Sequence, residues 1–208
     1  MLYLKENHRE LTSVIFDLGN VLLDYDPRRF MFELGMDPKV FDPLLKLFFE
    51  DMKAEWDALD RNVISTEEFI AVAADREPMY RKEIGFYMRN WKKQFHAIPE
   101  NVAAMYAAKE AGAKVYVLSN FMKDTFDYIW PHNQFFDDFD GILFSFETRL
   151  SKPNPAIYQL LLDMFPIDPE KCVFFDDLQV NVDAANASGL YAVRIEPRSP
   201  ILPLLEIE

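Results

Sequence analysis

Short apolar runs, three of them stopping at polar residues, punctuate this chain. Val14, Ile15 and Phe16 stop at Asp17; Lys114 to Leu118 stops at Ser119 and Asn120; Gly141 to Ser145 follows; Cys172 to Phe175 stops at Asp176 and Asp177; Tyr191 to Ile195 closes the series. Unbroken apolar runs, rather than alternating ones, suit strands covered on both faces of a parallel sheet. Between them the apolar spacing turns helical: Glu100 to Ala111, ended by Gly112; Asp124 to Trp130; Pro155 to Met164; and Val180 to Ser188, ended by Gly189. The alternation predicts an α/β fold, a three-layer Rossmann-like arrangement with a parallel five-stranded sheet.

The stretch from Pro27 to about Ala97 breaks that rhythm. Its Leu, Met and aromatic residues recur at helical spacing, which predicts helices over Arg28 to Leu34, stopped by Gly35, and over Pro38 to Asp51. Another runs from a capping box at Ser65 and Glu68 to about Ala74. A further helix over Ile84 to Phe95 carries Phe86, Tyr87, Trp91 and Phe95, a face expected to be mostly helix-helix core. This block is too long for one crossover, so it reads as an inserted small α-helical cap over residues 25–97, with residues 1–24 and 98–208 forming the α/β core. Trp56, Asp57, Asp60 and Arg61 fit a cap pocket, and equally a core or surface position. Glu196 to Pro203 is expected to wrap the surface.

Composition narrows the function. Half of the 208 residues are hydrophobic, enough for one substantial core plus an insert, and the net charge is −13. So acidic a surface repels polyanions, so neither nucleic acid nor an anionic membrane is the expected partner. The single cysteine, Cys172, excludes an internal disulfide and sits in a strand-like context suited to packing. With no signal-like or membrane-spanning apolar run, the expected setting is cytoplasmic, as monomer or homodimer.

The polar residues that end the strands are the chemically informative ones. In open parallel sheets the carboxyl ends of the strands share one rim, where ligands bind. Asp17, Ser119, Asp176 and Asp177 all fall there, and Lys152 joins them from the Ser-Lys-Pro-Asn-Pro loop after the third strand. Three carboxylates gathered together repel one another unless a cation sits among them, and an oxygen-only set suits Mg²⁺, which a substrate phosphate commonly completes. Lys152 and Ser119 can hold a second anionic group, and an aspartate can attack phosphorus.

Phe16-Asp17-Leu18-Gly19-Asn20-Val21, Leu118-Ser119-Asn120, Lys152-Pro153 and Phe175-Asp176-Asp177 occur in the order and approximate spacing of the four motifs of the haloacid dehalogenase superfamily, which the whole chain resembles. The Asp-Leu-Gly-Asn-Val form is most similar to the alpha-D-glucose-1-phosphate phosphatase group. The resemblance implies a Mg²⁺-dependent phosphatase of small phosphorylated metabolites. It implies Asp17 as nucleophile and metal ligand, with Gly19 (through its carbonyl), Asp176 and Asp177 as the other ligands. It also implies Ser119 and Lys152 as phosphate holders, with Asn120 and Asn20 among the substrate-binding groups.

One position departs from the pattern. Most phosphatases of the superfamily carry a second aspartate two residues after the nucleophile, as general acid and base, where this chain has Gly19. Such help is worth roughly 10²–10⁴ in rate, so esters with good leaving groups, anomeric sugar phosphates among them, are favoured. Asp24 or Asp26, just downstream, could substitute if either reaches the site. Two other readings stand beside the phosphatase: a 2-haloacid dehalogenase, whose halide leaves without a proton, and a non-catalytic protein that binds a phosphorylated ligand. The Asp176-Asp177 pair argues against the former, and retention of Asp17 against the latter.

Overall fold

The computed structural model describes residues 1–208. Five strands, β1 (Ser13–Phe16), β2 (Lys114–Ser119), β3 (Gly141–Phe144), β4 (Cys172–Asp176) and β5 (Ala192–Arg194), form one sheet in the order β3-β2-β1-β4-β5. Every pairing is parallel. The apolar runs are central because both faces are covered. Val14 and Phe16 point into one core with Val173 and Phe175, while Ile15 points into the other with Cys172 and Phe174. Helices Pro99–Glu110 and Lys123–Ile129 cover the first face, and Pro155–Met164 and Gln179–Ala187 the second. Burying side chains of this size stabilises by about 1.5–3 kcal/mol each.

The register sets the rim. Phe16 lies opposite Val117 on one side and Phe175 on the other, so Asp17 and Asp176 emerge side by side and Ser119 one residue further along. After β1 the chain turns sharply. The amides of Val21, Leu22 and Leu23 all donate to the Leu18 carbonyl, and Asn20 takes a left-handed conformation at φ 58°, which asparagine tolerates better than most residues.

Leu23–Asp24 then pairs antiparallel with His96–Ala97, and this two-stranded ribbon carries the helical block. The expected helix over Pro38 to Asp51 is instead built in pieces: a short turn at Pro38–Val40, an α-helix at Phe41–Lys46 and a wider π-type turn at Leu47–Asp51. A further helix, Lys53–Asp60, has no counterpart in the sequence reading. Helices Thr66–Arg76, which has the capping box, and Arg81–Asn90 complete the block. Aromatic packing holds it together: Phe48 stacks on Tyr87 at 5.7 Å, and Trp56 meets Trp91 edge-on at 4.9 Å. Phe86, placed on the same apolar face by spacing, is exposed.

The termini form an element that sequence patterning misses. Leu2–Leu4 pairs antiparallel with Arg9–Glu10 and with Leu205–Ile207. Strands of two or three residues are too short to display a period, and the partners lie at opposite ends of the chain. No helix is long and apolar enough to cross a membrane.

Asn101 joins three parts of this fold. It is fully buried; its amide donates to the carbonyls of Val21 (2.7 Å) and Ser199 (3.0 Å), and its oxygen accepts from the Ile201 amide (2.9 Å). Asn101→Ala strands two buried backbone groups and a half-buried one, and urea unfolding should show a loss of about 2–4 kcal/mol. A loss under about 0.5 kcal/mol would show that the tail and the β1 loop do not depend on this residue.

Candidate active site

Lys152 sits at the centre of the rim, its side chain essentially inaccessible to solvent. Its ammonium contacts Asp17 Oδ1 at 2.9 Å and Asp176 Oδ2 at 2.7 Å and donates to the Leu118 carbonyl at 3.0 Å. Burial works against its charge, but the two carboxylates outweigh burial and hold it well above the usual lysine range. For Asp17, burial is the largest influence and raises the carboxyl; the Asp176 charge adds to this, while Lys152 and the nearby Ser119 hydroxyl oppose it. Asp17 retains 7 % exposure, which leaves a path for a ligand, whereas Asp176 is fully enclosed.

The supports around these groups come from several elements. Asn120 clamps the Lys152 loop reciprocally: its amide donates to the Lys152 carbonyl at 2.9 Å, and its oxygen accepts from the Lys152 amide at 2.8 Å. Asp176 accepts from the Leu178 amide at 2.8 Å, and Asn181, in the first turn of the following helix, donates to both its oxygens at 3.1 Å. Asn20 donates to Asp177 Oδ2 at 3.3 Å and accepts from the Tyr25 amide at 3.4 Å. Both asparagines expected at the substrate are therefore engaged through their side chains in positioning Lys152 and Asp177. Asn181 escaped the sequence reading; the signal was its position on the inner face of the helix, five residues after Asp176.

Asp24 and Asp26, the two considered as substitutes for the missing acid, instead tie the start of the helical block to Arg29 and Arg198. Asp24 pairs with Arg29 and Arg198, each at 2.8 Å; Asp26 caps the helix Pro27–Glu33 through the Arg29 amide and pairs with Arg198 at 3.2 Å. The helix Lys53–Asp60 docks directly on the rim. Asp57 accepts from Ser151, the residue before Lys152, and Ser145 donates to the Asp60 carbonyl at 2.7 Å.

Oxygens of Asp17, Asp176 and Asp177 lie within 4.8 Å of one another. One lysine cannot neutralise all three: Asp177 is pushed up to about 7, first by burial and then by the charges of Asp17 and Asp176. A set of oxygen donors in need of positive charge, with no histidine or cysteine among them, fits Mg²⁺. Lys152→Met leaves Asp17 and Asp176 facing each other without their shared cation. Urea unfolding without added divalent metal should then show a loss of about 3–5 kcal/mol. A loss below about 1 kcal/mol would mean the ion cluster is as weak as a solvent-exposed one.

A phosphorylated carbohydrates phosphatase of Thermotoga maritima is 26 % identical over 192 residues, covering 86 % of this chain and 82 % of that protein. A haloacid dehalogenase-family enzyme of Bacteroides thetaiotaomicron, solved with magnesium and inorganic phosphate, superposes with a TM-score of 0.69 at 20 % identity, over 90 % of this chain and 95 % of that one. An L-2-haloacid dehalogenase of Xanthobacter autotrophicus carrying covalently bound chloropropionic acid superposes at 0.63 with 18 % identity, over 89 % and 77 %. The family model for haloacid dehalogenase-like hydrolases matches residues 11–189, from the residues leading into β1 to the turn before β5, and the chain belongs to that family.

Proposed function

We propose that this hydrolase is a Mg²⁺-dependent phosphatase of small phosphorylated metabolites that works through an aspartyl-phosphate on Asp17. The observation that carries the reading is the cluster of Asp17, Asp176 and Asp177 around one buried lysine. A pocket for a carboxylate substrate and a departing halide has no use for a third acidic group, whereas a metal and a phosphoryl group do. The magnesium and phosphate in the Bacteroides enzyme and the phosphorylated carbohydrates of the Thermotoga relative's name support the same choice.

Asp17 is the nucleophile: partly open to solvent, it attacks phosphorus while the leaving oxygen departs on the opposite side. Lys152 holds Asp17 in place and supplies fixed positive charge to the transferring phosphoryl oxygens, with the Ser119 hydroxyl beside it. Asp17, Asp176, Asp177 and the Gly19 carbonyl would hold Mg²⁺, which when bound draws charge from the phosphoryl group. Residues 25–97 act as a cap whose position over the rim excludes water. Within the β1 loop no group protonates the leaving oxygen, because Gly19 has no side chain, so that loop alone favours good leaving groups such as anomeric sugar phosphates.

The dehalogenase reading keeps one point in its favour, since a halide needs no proton from position 19. Both are decided by one panel: phosphate release from sugar phosphates and 4-nitrophenyl phosphate, and halide release from 2-chloropropionate, with Mg²⁺ or EDTA. Phosphate release should require Mg²⁺ and fall by at least ~10³-fold in Asp17→Asn. Halide release indifferent to EDTA, with no ester turned over, would replace the phosphatase reading with the dehalogenase one.

A further inference from the structure

The helix Lys53–Asp60 brings a carboxyl group to the rim from outside the four motifs. Asp57 and Asp60 are three residues apart and so share a helix face. Asp57 is fully employed, bonded to Ser151 and to Arg61 at 2.7 Å. The Asp60 backbone is anchored through the Ser145 hydroxyl, which also accepts from the Phe121 amide at 2.9 Å, two residues past Ser119. Its carboxyl, by contrast, enters no hydrogen bond or ion pair within the protein. It is partly buried, and the groups that feel its charge are Asp57, Asp17, Lys152 and Tyr25.

The space beside Gly19 points the same way. A side chain at position 19 would meet only the Tyr25 ring, at 3.8 Å from its Cβ, and Gly19 is not in the left-handed region. The loop therefore has room for the missing acid and lacks only the group. Resting on the phosphatase reading above, we propose that Asp60, reaching the rim from the helical block, is the general acid and base of the reaction in place of a side chain at position 19.

As Asp17 forms its bond to phosphorus, the bond from phosphorus to the ester oxygen breaks. The electron pair goes to that oxygen, which takes the proton from Asp60 and leaves as an alcohol. Water then attacks the phosphorus of the aspartyl-phosphate and gives its proton to the Asp60 carboxylate. The bond to Asp17 breaks with its electron pair returning to Asp17, so phosphate is released and Asp60 is again protonated. Its environment favours the starting state. Burial first, then the charges of Asp57 and Asp17, push the Asp60 carboxyl up to about 8, so it carries a proton at neutral pH. With such an acid the substrates extend beyond activated esters to ordinary alkyl phosphates.

The test compares two esters of similar size, 4-nitrophenyl phosphate with a good leaving group and benzyl phosphate with an alkoxide one. Turnover of both is measured with Mg²⁺ for wild type, Asp60→Asn, and Asp60→Asn with Gly19→Asp. Asp60→Asn should lower benzyl phosphate turnover by about 10²–10⁴-fold and 4-nitrophenyl phosphate turnover by under about 10-fold. Residual activity on the activated ester reports that the variant is folded. Adding Gly19→Asp should return much of the benzyl activity, which no structural role for Asp60 predicts. Equal losses on both esters, no loss on either, or a wild type that hydrolyses only the nitrophenyl ester would overturn the assignment of Asp60. A wild type that hydrolyses neither would instead overturn the phosphatase reading beneath it.

Discussion

Lys152 is held between two carboxylates in a place that water scarcely reaches, and the rim is built to keep it there. A buried ammonium without partners would lose its proton, and buried carboxylates without a cation would gain one. Between the two carboxylates the ammonium keeps its charge, with geometry holding it near 3 Å from both Asp17 and Asp176. Such clusters contribute less to net stability than their contacts suggest, because desolvation offsets the attraction. What the arrangement provides is a fixed field, with an aspartate oxygen at the edge of solvent and positive charge directly behind it.

Four features of the chain maintain that geometry. The parallel register of β1, β2 and β4 sets Asp17 and Asp176 level, with Ser119 one residue further along. Asn120 and Asn181 fix the other two members of the cluster, one by gripping the Lys152 backbone and the other by gripping both Asp176 oxygens. The tail contributes from a distance. Arg198 binds Asp24 and Asp26, and its amide donates to the Asn20 carbonyl at 2.8 Å, so the end of the chain braces the loop that carries Gly19 and Asn20. The helix Lys53–Asp60 closes the rim from the opposite side through Ser145 and Ser151.

The sheet was legible because its central strands are covered on both faces and read as apolar runs, three of which end at polar residues. β1 to β5 therefore showed in the sequence to within a residue or two. The same rule pointed to Asp17, Ser119, Asp176 and Asp177, which end those runs, whereas Lys152 lies in a loop outside it. Other features had no such signature. The terminal strands are too short to show a period and pair across the full length of the chain. The segment after Pro38 alternates helix types, so one period does not describe it, and Lys53–Asp60 buries fully only Leu59. Asn20, Asn120 and Asn181 look like turn or helix residues until their partners are seen, and Asp60 differs from its neighbour Asp57 only in lacking a partner.

The account rests on Asp17 becoming covalently phosphorylated, and that can be observed directly. Enzyme in excess over 4-nitrophenyl phosphate, with Mg²⁺, is quenched in acid during the first turnover and its peptides are weighed. The account predicts a phosphoryl group on the peptide that contains Asp17, rising and then decaying as phosphate appears. Phosphate formed at the same rate with that peptide unmodified throughout would contradict it.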